Sequence, residues 1–272
     1  MVRIYKYIGI ILFAGFSFLY TSYATSLIRK KDPIMMNINS IKDSLMVSKI
    51  DPMVINDEYI TGLNGCVVDE NASYNKMKSS GSFKEELIVM KQDEVKKYDK
   101  YIIGGNNKNR NVSIIFLNIN KDITNYIQSK KIKINYFLDS NYINNNIISL
   151  KNINNKIYSL GRNNNYLSKY IAYDNNMIEK NLNNKSNYCL LFDKDDNSLK
   201  ICNSYKMRTI KGKVYNDNIL TYVKENLDNG KIFIFESNDY EDIVISIKYI
   251  LSKGFNIVYL DDLLEEENSN CM

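Results

Sequence analysis

The sequence predicts an α/β fold: an irregular (β/α) barrel, or an open sheet, preceded by an N-terminal anchor or signal helix and a small α+β module. Three observations lead there. From Tyr101 onward, strand-like and helix-like runs alternate over some 165 residues, which corresponds to about six or seven βα units around a parallel sheet. Runs such as NVSIIFL and KIFIFES read as buried strands. At the other end, Tyr7 to Ile28 carries no charge and centres on IGIILFAGFSFLY. The expected organisation is residues 1–31 as anchor or signal, 32–100 as tether and small module, and 101–272 as the main domain.

The N-terminal run has Arg3 and Lys6 before it and Arg29 to Lys31 after it, and it is about long enough to cross a bilayer as a helix. Ser22-Tyr23-Ala24 also offers small residues at signal-peptide cleavage positions. Both readings put the remainder outside the cytoplasm, either membrane-anchored or secreted. Residues 32–50 read as a tether entering an amphipathic segment. In YITGLNGCVVD, apolar runs flank Asn64-Gly65, a hairpin-turn signal. NASYNKMKSSGSF reads as a helix stopped by Gly81. ELIVM reads as a strand and KQDEVKKYDK as a charged linker.

In the main domain YIIGG, NVSIIFL, KINYFLD, KIYSLG, NYCLLF, LKICNS and KIFIFES read as strands. ITNYIQSKK reads as a short helix, and IISLKNI as helical or extended. Tyr166, Tyr170, Ile171, Met177, Ile178 and Leu182 recur at helical spacing. DNILTYVKENLDNG is a helix before Gly230, and DYEDIVISIKYILSKG is an amphipathic helix closed by Gly254. FNIVYLDDLLEEE supplies a last strand and helix start.

The chain has no histidine and no tryptophan. A Ser-His-Asp triad, an imidazole base and a His-bearing zinc site are therefore excluded, and sugar stacking must use Tyr or Phe. The net charge of +5 is spread along the chain without a basic run interleaved with aromatics, so it gives no nucleic-acid signal. Asn-rich runs at 144–146 and 163–165 read as surface loops. Of the four cysteines, Cys189 and Cys202 flank the turn-like DKDDNS. They are either bridged, which would stabilise by about 3 kcal/mol in the chain-entropy model, or two buried thiols. Cys66 and Cys271 look unpaired.

From Tyr101 to Leu264 the order of local sequences resembles the polysaccharide deacetylase (NodB-like) family. NVSIIFLNI resembles its first strand, V-S/A-L-T-F-D-D-G. KKIKINYFLDSNYI resembles the segment built on K-I-K-A-T-F-F, and KIYSLGRNNNY resembles G-H-E-I-G-N-H-T-x-x-H. GKIFIFES resembles G-S-I-I-L-L-H, and ILSKGFNIVYLDDLL resembles L-K-x-K-G-Y-x-F-V-x-L-x-E-L-L. The resemblance implies an irregular barrel of deacetylase type. It places the family's two aspartates, one the base and one a metal ligand, on Leu117 and Asn118. Its two metal-binding histidines fall on Gly161 and Asn165, and its late histidine on Glu236. Its arginine motif has no counterpart around Leu190 to Asp193. In that family a divalent metal polarises the acetamide and activates water. Here Leu117 has no lone pair, Gly161 has no side chain, and Asn118 and Asn165 are neutral, weak ligands.

These readings lead to a catalytically inactive deacetylase-like protein with no cofactor. Its expected partners are the membrane, through the N-terminal segment, and cell-wall glycan or an envelope protein, with no nucleic acid. Two alternatives stand beside it. One is an active hydrolase using a relocated carboxylate cluster of Asp193, Asp195, Asp196, Glu236 and Asp239. The other is a purely structural envelope protein.

Overall fold

The computed structural model describes residues 2–163, 165–182 and 184–271, and the side chains from Phe13 onward except those of residues 22 and 270. The first half of the chain runs α1 (Val2–Lys30), α2 (Pro33–Leu45), β1 (Met53–Ile55), β2 (Glu58–Ile60), β3 (Gly65–Val68), α3 (Glu70–Ser80), β4 (Met90–Asp93), β5 (Tyr101–Gly104), β6 (Asn111–Phe116), α4 (Lys121–Ser129) and β7 (Asn135–Leu138). It continues with α5 (Ser140–Leu150), β8 (Lys156–Ser159), α6 (Ser168–Leu182), β9 (Tyr188–Leu191), α7 (Asp196–Ser204), β10 (Arg208–Lys211), β11 (Val214–Tyr215), α8 (Ile219–Asn226), β12 (Ile232–Phe235), α9 (Tyr240–Ser252), β13 (Asn256–Ile257) and α10 (Leu260–Leu263). These form two compact units: residues 1–48, 65–93 and 268–272, and residues 49–64 and 94–267.

In the first unit, α2 starts where Asp32 accepts a hydrogen bond from the Ile34 amide and Pro33 occupies the first turn, where no backbone donor is needed. Asp69 caps α3 in the same way, and Gly81 ends it at φ +75°. β3 and β4 pair antiparallel across α3, so Asn64-Gly65 does not turn a tight hairpin. Of the expected strand ELIVM, Glu86 and Leu87 fall in a 3-10 turn (Glu85–Leu87) and Met90 alone belongs to β4. β4 itself takes up the start of the expected linker. Among the described residues no helix is long and apolar enough to cross a membrane. The apolar run expected to do so lies partly in residues 1–12, outside the described side chains.

Cys66 and Cys271, which look unpaired in the sequence, are bridged, with Cα atoms 5.4 Å apart. The C-terminal tail returns to β3 and β4 and is held there by the Gln92 side chain, which donates to the Asn268 carbonyl at 2.8 Å and accepts from its amide at 3.0 Å. No local sequence pattern marks that return, because the two cysteines are 205 residues apart.

The second unit holds two sheets rather than one closed ladder. One has the order β11-β12-β6-β7-β8, parallel throughout, with β13 also on β6. The other has the order β1-β2-β5-β10-β9, parallel except between β1 and β2. Alternate residues serve two cores. Ile115, Phe137, Tyr158, Leu190, Ile210 and Ile234 enter a core shared by both sheets. Ile114, Phe116, Tyr136, Leu138, Phe233 and Phe235 pack outward with α4, α8 and α9. Burial on both faces is why these strands read as continuous apolar runs.

LKICNS, expected as a strand, is helical within α7. Asp195 caps it by accepting from the Asn197 and Ser198 amides, and Ser198 and Cys202 lie one helical turn apart on its buried side. Cys189 on β9 and Cys202 on α7 are bridged, with Cα atoms 6.4 Å apart.

Candidate functional site

Side-chain alternation along the strands builds the site. The shared core takes Ile115 from β6, Phe137 from β7, Tyr158 from β8, Leu190 from β9 and Ile234 from β12. Two residues further on, a strand points the same way again. Those positions are Leu117, Asp139, Leu160, Phe192 and Glu236, and all five line one cavity of about 790 Å³, together with Asp193, Lys213 and Val214. The cavity therefore opens at the carboxyl ends of the parallel strands, where α/β folds place their ligands. The strand pairing carries past the strand ends to hold the layer. The Leu117 amide donates to Phe235 at 3.0 Å, that of Leu160 to Leu138 at 2.8 Å, and that of Glu236 to Tyr215 at 3.0 Å.

Of the motif positions, Leu117 and Glu236 belong to this layer, and Gly161 follows Leu160. Asn118, one residue out of phase, points its amide at the loop after β12, donating to Asn238 Oδ1 at 3.0 Å and to the Ser237 carbonyl at 3.4 Å. Gly161 has φ +80°, and Asn165 pairs back with Arg162 in the turn that follows. The Asn165 amide donates to the Asn163 carbonyl.

Across the sheet the layer reads Glu236, Leu117, Asp139, Leu160, so a leucine separates the two carboxylates. Asp139 is already engaged, accepting from the Asn141 and Asn163 amides at 2.8 and 2.6 Å. A divalent metal does not fit here: the positions of the family's base and three ligands carry a leucine, a glycine and two amides committed to loops. The relocated carboxylate cluster does not form either. Asp193 and Glu236 line the cavity, but Asp195 caps α7, Asp239 caps α9, and Asp196 accepts from the Tyr101 hydroxyl at 3.2 Å. Among the described residues no three of His, Cys, Asp and Glu stand together as a metal group. Nor do the core tyrosines supply a base. Burial pushes the Tyr158, Tyr166 and Tyr188 phenols well above their ordinary range, so they stay protonated.

Sequence reasoning missed Asp139, Leu160, Phe192, Lys213 and Val214. Counting two residues past the last inward position of each strand would have found the first three. Lys213 and Val214 lie in the 205–217 segment, where no hydrophobic period marks an element.

No protein family model matches the chain, and no curated protein matches it. Solved structures do. BA3943 from Bacillus anthracis, described as a CE4 family pseudoenzyme, superposes with a TM-score of 0.62 at 18% identity, over 88% of this chain and 97% of that one. A BA3943 mutant described as having restored enzymatic activity gives 0.61 at 18% identity, over 87% and 100%. PdaA from Bacillus subtilis, a family 4 carbohydrate esterase, gives 0.51 at 13% identity, over 61% and 85%. The chain thus has the fold of the family 4 carbohydrate esterases, in agreement with the resemblance read from its motifs.

Proposed function

We propose that the protein is a catalytically inactive polysaccharide deacetylase-like protein, attached at the outer face of the membrane, whose cleft binds cell-wall glycan. The observation that carries this reading is the inward layer at the strand ends. A cavity lies at the carboxyl ends of the parallel strands, and Leu117, where the resemblance puts a catalytic aspartate, lines it. Phe192 offers an apolar face for a sugar ring, and Asp139, Asp193, Glu236 and Lys213 offer hydrogen bonds to hydroxyls at its rim. The pseudoenzyme among the structural neighbours supports the same view.

Two features support a location outside the cytoplasm. All four cysteines are in disulfides, which persist in oxidising compartments. On α1, Phe13, Phe16, Phe18, Leu19, Tyr20 and Tyr23 are each 64–76% exposed, an apolar surface that suits a lipid environment.

The test uses the full chain in mild detergent. It should be retained on peptidoglycan and should release no acetate from acetylated glucosamine oligomers. Chelator-sensitive acetate release would sink the inactive reading, and absence of retention on any glycan would leave an envelope-protein partner in its place.

A further inference from the structure

A second large cavity, of about 810 Å³, lies wholly within the first unit at the foot of α1. Its walls come from the last turns of α1 (Phe18, Thr21, Arg29, Lys30), from α2 (Lys42) and from the start of α3 (Glu70), among others. Three cations face one carboxylate. Glu70 is already paired with Lys42 at 2.7 Å, so the lining carries an excess of positive charge. Arg29 is held in place: its guanidinium lies 4.2 Å from the centre of the Tyr74 ring, and Nη2 donates to the Asn71 carbonyl at 3.3 Å. Its Nε is buried and takes no hydrogen bond. Tyr74 is itself fixed by donating to Asp32 at 2.8 Å.

The order of side chains along α1 is the second observation. Exposed Phe13, Phe16, Phe18, Leu19 and Tyr20 come first, then Thr21, Thr25 and Ser26 with exposed Tyr23 between them, then Arg29 and Lys30. Acyl chain, glycerol ester and phosphate follow one another in the same order through a membrane interface. We propose that this cavity takes the phosphate headgroup of an anionic phospholipid, with the acyl chains lying along α1 past Phe18. The proposal rests on the attachment of α1 to the membrane put forward above and adds a headgroup-selective site to it.

The experiment is native mass spectrometry of the full chain in neutral detergent with equimolar phosphatidylglycerol and phosphatidylcholine. Phosphatidylglycerol adducts should exceed phosphatidylcholine adducts by about 25-fold, given two surplus cations and roughly fivefold per cation near a phosphate. Arg29→Gln and Lys42→Gln should each reduce that ratio by about fivefold. Glu70→Gln, which removes the opposing charge without deleting a cation, should raise it. Lys224→Gln with Lys253→Gln, which removes two positive charges in the second unit, should leave it alone. Equal adducts of the two lipids would overturn the proposal, as would the same loss from the Lys224 and Lys253 pair, which would mean unselective surface charge. Competition by glycerol phosphate as strong as by the lipid would also overturn it, assigning the cavity to a free phosphate ester. Flotation of the full chain on pure phosphatidylcholine vesicles tests the attachment of α1 separately. Failure there sinks the membrane reading, whereas the adduct ratio judges the headgroup site.

Discussion

Gly161 and Asn165 are packed backbone to backbone: a Cβ placed on Gly161 would stand 2.3 Å from the Asn165 carbonyl oxygen. The positive φ of Gly161 adds strain for any other residue. These are the two positions that the family resemblance assigns to metal-binding histidines. A rebuilt site carrying Leu117→Asp, Asn118→Asp, Gly161→His and Asn165→His should therefore fail at Gly161. We expect Gly161→Ala alone to cost roughly 1–3 kcal/mol in urea unfolding. The fourfold variant should hold no stoichiometric zinc unless the 161–165 turn is rebuilt with it. Stoichiometric zinc by metal analysis would refute this.

Phe192 is the aromatic side chain of the cavity lining. If the cleft holds a sugar ring, Phe192→Ala should weaken retention on peptidoglycan by about tenfold, the scale of one lost aromatic contact. Thermal stability should change little, because Phe192 sits at the edge of the shared core and is only partly buried. Unchanged retention would remove Phe192 from the binding face.

Arg208 Nη2 lies 3.4 Å from Glu266 Oε2, whose side chain is 3% exposed. Lys97 is further away at 3.8 Å and mostly exposed. Arg208→Ala leaves the buried carboxylate with one distant cation and should cost about 3 kcal/mol. Adding Glu266→Gln should recover part of that loss, because the uncompensated charge is then gone. A double-mutant cycle by denaturant unfolding measures both.

The Asp195 carboxyl is held below its usual range by the Ser198 hydroxyl, which donates to it at 2.6 Å, and by the Ser198 and Asn197 amides. A depressed carboxylate contributes stability above its unfolded value of about 4 and loses it as pH falls through the folded value. Wild-type stability should therefore fall on acidification below about pH 4, and Asp195→Asn should flatten that part of the profile. Ser198→Ala should move the Asp195 titration upward, as read by carboxyl carbon-13 resonances. An unmoved titration would count against the hydroxyl as the main cause.

Both disulfides close loops, and the chain-entropy model favours the longer one, with Cys66–Cys271 contributing about 5 kcal/mol and Cys189–Cys202 about 3 kcal/mol. The purified chain should show no reactive thiol on denaturation without reductant. Cys66→Ala with Cys271→Ala should lower the unfolding midpoint more than Cys189→Ala with Cys202→Ala. The reverse order would show that strain or residual structure outweighs loop closure here.

Much of the second unit was legible because its information is local. NVSIIFL, KINYFLD and KIFIFES are strands because β-branched and aromatic residues fill both of their faces, and α9 is a helix because its apolar residues recur at helical spacing. LKICNS misled for a comparable reason. A short apolar run does not reveal its period, and it was the Asp195 cap together with packing of Cys202 against β9 that settled a helix. The site was half legible: Leu117 and Glu236 could be placed by resemblance, while Asp139, Leu160 and Phe192 needed the strands to be in register.

By itself, the sequence determined that no imidazole chemistry is possible, that parallel strands alternate with helices, and that the strand ending in Leu117 and Asn118 carries no carboxylate there. Each of these is a property of residue identity or of neighbours a few positions apart. Only the tertiary structure decided that Cys66 meets Cys271, that β1 and β2 join the sheet of β5, and that five strand ends from two sheets form one layer around a cavity. Those facts depend on pairing register between distant segments, which many weak contacts set together and no single stretch of chain encodes.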